Sequence, residues 1–182
     1  MEATAEVHDL EAWLKEGYPQ SVRTAYLILG NRLDAEDAVQ EAFLRAWKFR
    51  DSLSMESSFK PWLYRVVVNT CNSKLRQEIP HRDRRSGEEQ LRTISTSEDV
   101  SSRVGLSSDM MRALADLPDH LRIAVVLRYY ADLSEREIAI AIDRKTGTVK
   151  SRLNEARRRL AMHPALQAEA SKDSPTNEEA IG

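Results

Sequence analysis

The stretch that decides the fold is "SEREIAIAIDRKTGTVKSRLNEARRRL", residues 134–160. Ser134 and Glu137 have the spacing of a capping box, so a short apolar-periodic helix starts there. It breaks at Asp143–Lys145 and reopens as a longer basic segment, the pattern of a helix-turn-helix. In that second helix Val149, Leu153, Ala156 and Leu160 recur on one face and can pack against Ile138, Ala141 and Ile142. The opposite face presents Lys150, Ser151, Asn154 and Arg158, flanked by Arg144, Lys145, Arg152 and Arg157. Gly147 and Thr148 keep the leading turn slim, with free N–H groups that can meet a phosphate. Residues 145–160 hold six basic residues and one acid in a chain of net charge −2. A helix of this kind enters a major groove with its first turns leading, while its arginines neutralise the backbone. A solvated amphipathic helix would carry the same charge. The capped partner helix and the slim leading turn decide for DNA contact. Lys150, Ser151 and Asn154 are the base-reading candidates, and the arginines hold phosphates. Glu155 has two readings, accepting from a cytosine amino group or pairing with Arg158 or Arg159; the second is preferred.

Working outward, two more helices precede the motif, "SSDMMRALADLP" ending at Pro118 and "PDHLRIAVVLRYYADL" after it. Before them, residues 79–106 show no sustained apolar period and balance five basic with five acidic residues, so they read as a flexible linker. The first third reads as three amphipathic helices. Residues 9–29 are interrupted around Gly17 and Pro19. "LDAEDAVQEAFLRAW" spaces Ala35, Ala38, Val39, Ala42, Phe43, Ala46 and Trp47 by three and four, with Asp34 as its N-cap. "FKPWLYRVVVNTCNSKLRQ" buries Phe59, Trp62, Leu63, Val66 and Val67, with Pro61 tolerated in the first turn. From Pro164 the chain is an acidic tail poor in large apolar residues. The expected architecture is all-α: two small helical domains, 9–78 and 107–163, joined by a linker at 79–106 and followed by a tail at 164–182.

Composition narrows the function classes. The chain is 182 residues long, 41% hydrophobic and 31% charged, suited to one ordinary domain or two small ones. No segment approaches the ~18–20 apolar residues of a membrane span, and the acidic N-terminus lacks signal-peptide order. No membrane insertion and a cytoplasmic location are therefore expected. The single cysteine, Cys71, excludes an internal disulfide and reads as a small core residue. His8, His81, His120 and His163 are scattered without metal spacing, so neither a metal nor a cofactor is expected. Asp34, Asp37 and Glu41 cluster on an exposed helix face beside no His, Cys or glycine-rich loop, which argues against an enzyme.

Taken together, "DAEDAVQEAFLRAW" (34–47), "FKPWLYRVVVN" (59–69) and residues 117–160, in this order and with the linker before the third, resemble the extracytoplasmic-function (ECF) sigma factors. The resemblance spans about residues 9–163. It implies a non-catalytic subunit that binds core RNA polymerase and directs promoter recognition. The first motif would dock on the clamp helices of the largest polymerase subunit through Asp37, Gln40, Glu41 and Arg45. The loop at 50–60, together with Asn69, would read a flipped base of the minus-ten element. There Ser54, Ser57, Ser58 and Asn69 would bond a base edge while Lys60 and Arg65 hold phosphates. Trp62 fits the core stripe better than base stacking, and Tyr64 is left open between the two. The second domain would read the minus-35 element through Arg144, Lys145, Thr148, Lys150, Ser151, Arg152, Asn154, Glu155 and Arg158. Arg144-Lys145 is more basic than the turn of many members, and Asn154-Glu155 departs from pairs seen in some. The family's base preference therefore does not carry over. The resemblance also implies an anti-sigma partner. The competing reading is a helix-turn-helix regulator that acts without polymerase; it leaves the acidic helix and the 50–69 segment unexplained.

Overall fold

In the computed structural model, residues 2–49, 59–82 and 105–167 are described, with side chains for 15–49, 59–77 and 105–167. Ser54, Ser57 and Ser58, most of the expected linker and all of the tail after 167 lie outside the described residues. Among the described residues the helices run in the order α1 (Glu2–Leu29), α2 (Arg32–Lys48), α3 (Phe59–Arg82), α4 (Ser108–Ala115), α5 (Asp119–Tyr129), α6 (Glu135–Ala141) and α7 (Thr146–Ala161). Among the described residues there is no strand.

α1 is one continuous helix, where a break around Gly17 and Pro19 was expected. Pro19 is exposed, so the backbone bond it forfeits lies on the solvent side, where water can take its place. The helix ends at Gly30, whose φ of 74° suits glycine and whose N–H donates to the Tyr26 carbonyl at 2.7 Å. α2 starts earlier than expected. Its N-cap is Asn31, whose side chain accepts from the Asp34 N–H at 3.1 Å, and not Asp34. Released from capping, Asp34 takes Lys74 of α3 at 2.9 Å.

α3 carries Pro61 in its first turn and runs on to Arg82. Leu63, Tyr64, Val66, Val67, Val68, Cys71 and Leu75 are all buried, a wider face than one amphipathic stripe supplies. The reason is that α3 is covered on more than one side: α1 and α2 pack on it, and so does α6 of the second half. Burial pushes the Cys71 thiol up to about 12, so this cysteine is a small core side chain and not a nucleophile.

The second half is built on caps. Ser107 caps α4 by accepting from the Met110 N–H. The capping box at α6 forms as its spacing demanded. The Ser134 Oγ accepts from the Glu137 N–H at 3.3 Å, and the Glu137 carboxylate accepts from the Ser134 N–H at 2.7 Å. Hydrogen bonding to the Ser134 side chain first, and to its backbone N–H less, holds the Glu137 carboxyl below its ordinary value. Val149, Leu153 and Ala156 of α7 are buried with Ile138 and Ala141 of α6. α7 packs on both α5 and α6. Two interhelix turns contain aspartates in the left-handed region, Asp132 at φ 52° and Asp143 at φ 53°. One apolar core runs from α1–α3 into α4–α7, because α3 meets α6 and α1 meets α5.

Candidate nucleic-acid interface

α7 offers an open basic face. Its buried stripe turns Lys150, Ser151, Asn154 and Arg158 outward, one or two turns apart on a single side, and all four are exposed. Gly147 leads that side, and a side chain built there would meet nothing within 4 Å. The fold does not require a glycine at this point; the space it leaves faces outward. Lys145 is the N-cap but makes no side-chain cap bond, so its ammonium is not spent on the helix. Arg144 donates to the Asp143 carbonyl at 2.7 Å. Thr148 and Arg152 sit apart from the open side, both half-buried. Burial first, and Arg144 second, lower the pKa of Arg152.

Several of these side chains already have partners on α7 or α6. The Glu155 carboxylate takes both Arg158, at 2.8–3.0 Å, and Arg159, at 2.7 Å. Hydrogen bonds from Arg159 and then Arg158 hold its carboxyl below the usual range. The pairing reading of Glu155 is therefore the one found. Asn154 accepts from Arg157 at 2.7 Å, Ser151 donates to the Thr148 carbonyl at 2.9 Å, and Lys150 lies 3.9 Å from Glu135.

The first half arranges its candidates differently. Arg65 and Asn69 lie one turn apart on α3 and are exposed. Lys60 stands half-buried in the first turn. Both cations are turned toward the second half. The Lys60 ammonium donates to the Asp132 carbonyl at 3.4 Å, and the Arg65 guanidinium lies 3.5 Å from the Asp143 carboxylate. Both acceptors belong to the left-handed turn aspartates. Trp62 is half-buried and stacks on Phe59, with centroids 6.1 Å apart, as the core reading has it. Tyr64 is settled as core: it is buried, and desolvation raises its hydroxyl pKa against hydrogen bonding to Thr24 of α1.

On α2, Asp37, Gln40, Glu41 and Arg45 are exposed, with Arg45 paired to Glu41 and Asp37 3.5 Å from Lys74. Sequence reasoning missed the apolar part of this face. Leu33 is 73%, Leu44 70% and Trp47 42% exposed, and helix geometry puts them in line with Asp37 and Gln40. Trp47 was expected in the core. It is instead the last member of an exposed row, and its 14-residue interval from Leu33 was the available signal. Among the described residues no three His, Cys, Asp or Glu side chains gather to hold a metal, and no helix is long and apolar enough to cross a membrane.

This helical chain, with a capped helix-turn-helix and an exposed acidic-apolar helix, matches two family models, Sigma-70 region 2 over residues 13–78 and Sigma-70 region 4 over residues 96–160. The chain is 34% identical over 145 residues to the ECF RNA polymerase sigma factor SigW of Bacillus subtilis, covering 74% of this chain and 78% of that one. It is 37% identical over 134 residues to the ECF RNA polymerase sigma-E factor of Escherichia coli, covering 68% and 70%. Among solved structures it is similar to the sigma factor RpoE bound to the anti-sigma factor NepR from Bartonella quintana. There the TM-score is 0.66 at 25% identity, over 88% of this chain and 98% of the other. The fold is also that of CnrH in complex with the cytosolic domain of CnrY, with a TM-score of 0.61 at 21% identity over 94% and 96%. The chain belongs to the ECF sigma factors. It is an alternative sigma factor, of the kind that directs promoter recognition.

Proposed function

We propose that residues 9–78 form the polymerase-binding and minus-ten-reading domain and residues 107–163 the minus-35-reading domain, with 79–106 as linker and 164–182 as tail. The observation that carries this division is α7. Its exposed row of Lys150, Ser151, Asn154 and Arg158, backed by a fully buried stripe, is shaped for a major groove. Arg144, Lys145, Thr148 and Arg152 are the flanking phosphate contacts. Glu155, held by two arginines, orders them instead of touching a base.

α2 docks on the clamp helices of the polymerase through Asp37, Gln40, Glu41 and Arg45. Leu33, Leu44 and Trp47 add the apolar area that a stable contact needs. Acidic and apolar side chains on one helix suit a basic, partly apolar helical partner. Ser54, Ser57, Ser58, Lys60, Arg65 and Asn69 serve the minus-ten element. For Lys60 and Arg65 to reach phosphates, their side chains have to leave the Asp132 carbonyl and the Asp143 carboxylate. The chain acts in the cytoplasm, catalyses no reaction itself and needs no cofactor. It is held in check by an anti-sigma factor; the related RpoE is found in complex with one, NepR.

Mixing the purified chain with core polymerase and a promoter library tests the reading. Transcripts that start only at a subset of promoters, and only with the chain present, are expected. Absence of both promoter-dependent initiation and binding to core polymerase would sink it.

A further inference from the structure

Arg157 was expected only as a flanking, phosphate-holding residue, but it is fixed at two points. Its Nε donates to the Leu153 carbonyl at 3.2 Å and its Nη2 donates to the Asn154 Oδ1 at 2.7 Å. A guanidinium carries five donors and no acceptor, so the amide atom it meets has to be the carbonyl oxygen. The orientation of the Asn154 amide is thereby set by chemistry. Its oxygen is under a cation and its NH2 group is left to face away from Arg157. Asn154 itself is exposed, one turn beyond Lys150 on the open side of α7.

Adenine offers an N7 acceptor beside an N6 amino donor, and asparagine reads that pair only when its carbonyl can receive the amino group. With a guanidinium already on that carbonyl, an arriving amino group meets positive charge. Guanine offers two acceptors, N7 and O6, which suit an amide NH2 and a neighbouring cation together. Glu155 is the single carboxylate between residues 146 and 161 and would favour cytosine, but Arg158 and Arg159 occupy it. The exposed side of α7 is therefore weighted toward donors.

We propose that Arg157 is a positioning residue for base selection: by holding the Asn154 carbonyl it makes the base facing Asn154 read as guanine in preference to adenine. The proposal rests on the reading of α7 as the minus-35 helix.

The full chain on core polymerase, scored for binding to promoters in which each minus-35 base pair is varied in turn, tests it. Asn154→Ala locates the base pair by erasing the preference there. At that pair the unaltered chain is expected to favour guanine over adenine about tenfold. Arg157→Met is expected to bring that ratio close to one, whereas Arg157→Lys, whose ammonium can still donate to the Asn154 carbonyl, is expected to retain part of it. An unchanged ratio with uniformly weaker binding would make Arg157 a phosphate contact and overturn the proposal. So would a preference for adenine in the unaltered chain. If Asn154→Ala alters no base pair while Lys150→Ala does, the positioning role falls and the reading of α7 stands. If neither alters any, the reading of α7 falls as well.

Discussion

α7 and α3 are both basic helices proposed to meet promoter DNA, yet the molecule treats them in opposite ways. α7 turns its stripe of Val149, Leu153 and Ala156 inward and leaves Lys150, Asn154 and Arg158 exposed. α3 is buried on several sides, and its Lys60 and Arg65 lie against Asp132 and Asp143 of the other half. The difference comes from packing. α7 is packed against α5 and α6, whereas α3 has α1, α2 and α6 around it. The side chains of the α7 face are held within its own half, whereas the two cations of α3 are held by the other half.

The largest expected effects test whether the two helices share one core. Leu63→Ala beneath α3 and Leu153→Ala beneath α7 should each cost about 2–5 kcal/mol. Because the core is continuous, each variant should unfold in a single transition shifted to lower denaturant. Two transitions, with only the altered half moved, would show that the halves unfold independently and would break the comparison at its root.

Changes on the exposed faces come next. In the free chain, Lys145→Ala, which removes an ammonium that makes no cap bond to its helix, should weaken DNA binding and lower its salt slope by about one. Lys60→Ala, whose ammonium is already engaged, should change neither. Equal effects from the two would mean that α3 is as open as α7. Both are read by titrating labelled promoter DNA at several salt concentrations.

Ser134→Ala should cost about 1 kcal/mol by removing the cap of α6, the helix that stands between α3 and α7. Its partner Glu137 has a carboxyl held below its ordinary value of 4.5, mainly by the hydrogen bond with Ser134. A carboxyl lowered by folding adds stability above its ordinary value and loses it as pH falls through its folded value. Denaturation of the Ser134→Ala variant should therefore lose less stability between neutral pH and pH below about 4 than the unaltered chain does. An identical acid profile would refute the link.

The smallest effect belongs to the contact between the halves. A double-mutant cycle of Arg65→Ala with Asp143→Asn should give a coupling of about 0.2–1 kcal/mol, because the pair is exposed. Salt should screen it. Asparagine is the chosen replacement because it tolerates the left-handed backbone at Asp143. No coupling at low salt would remove Arg65 from the account of how α3 is covered.

Much of this was legible in the residues. The capping box at Ser134 and Glu137, the stripe of α7 and the pairing of Glu155 all follow from spacings of three and four, which a helix alone enforces. Where sequence reading failed, it lacked a neighbour or a cap. The spacing that put Trp47 in the α2 stripe did not reveal that it lies in line with Leu33 and Leu44 on the outer face. Asp34 has the residue type of a cap, but Asn31 three positions earlier takes that place, and Gly17 and Pro19 make no break because solvent can absorb one missing bond.

The sequence by itself determined which helices form, which faces are apolar and where positive charge collects. These are local matters, set by periodicity and capping within a few turns. Only the tertiary structure decided which basic side chains are free. Arg65 meets Asp143 across 78 positions of sequence, and no spacing rule reaches that far. Arg157, by contrast, is three residues from Asn154, yet whether it grips a phosphate or an amide depends on its rotamer, which here sets Nε on the Leu153 carbonyl and Nη2 on the Asn154 amide oxygen.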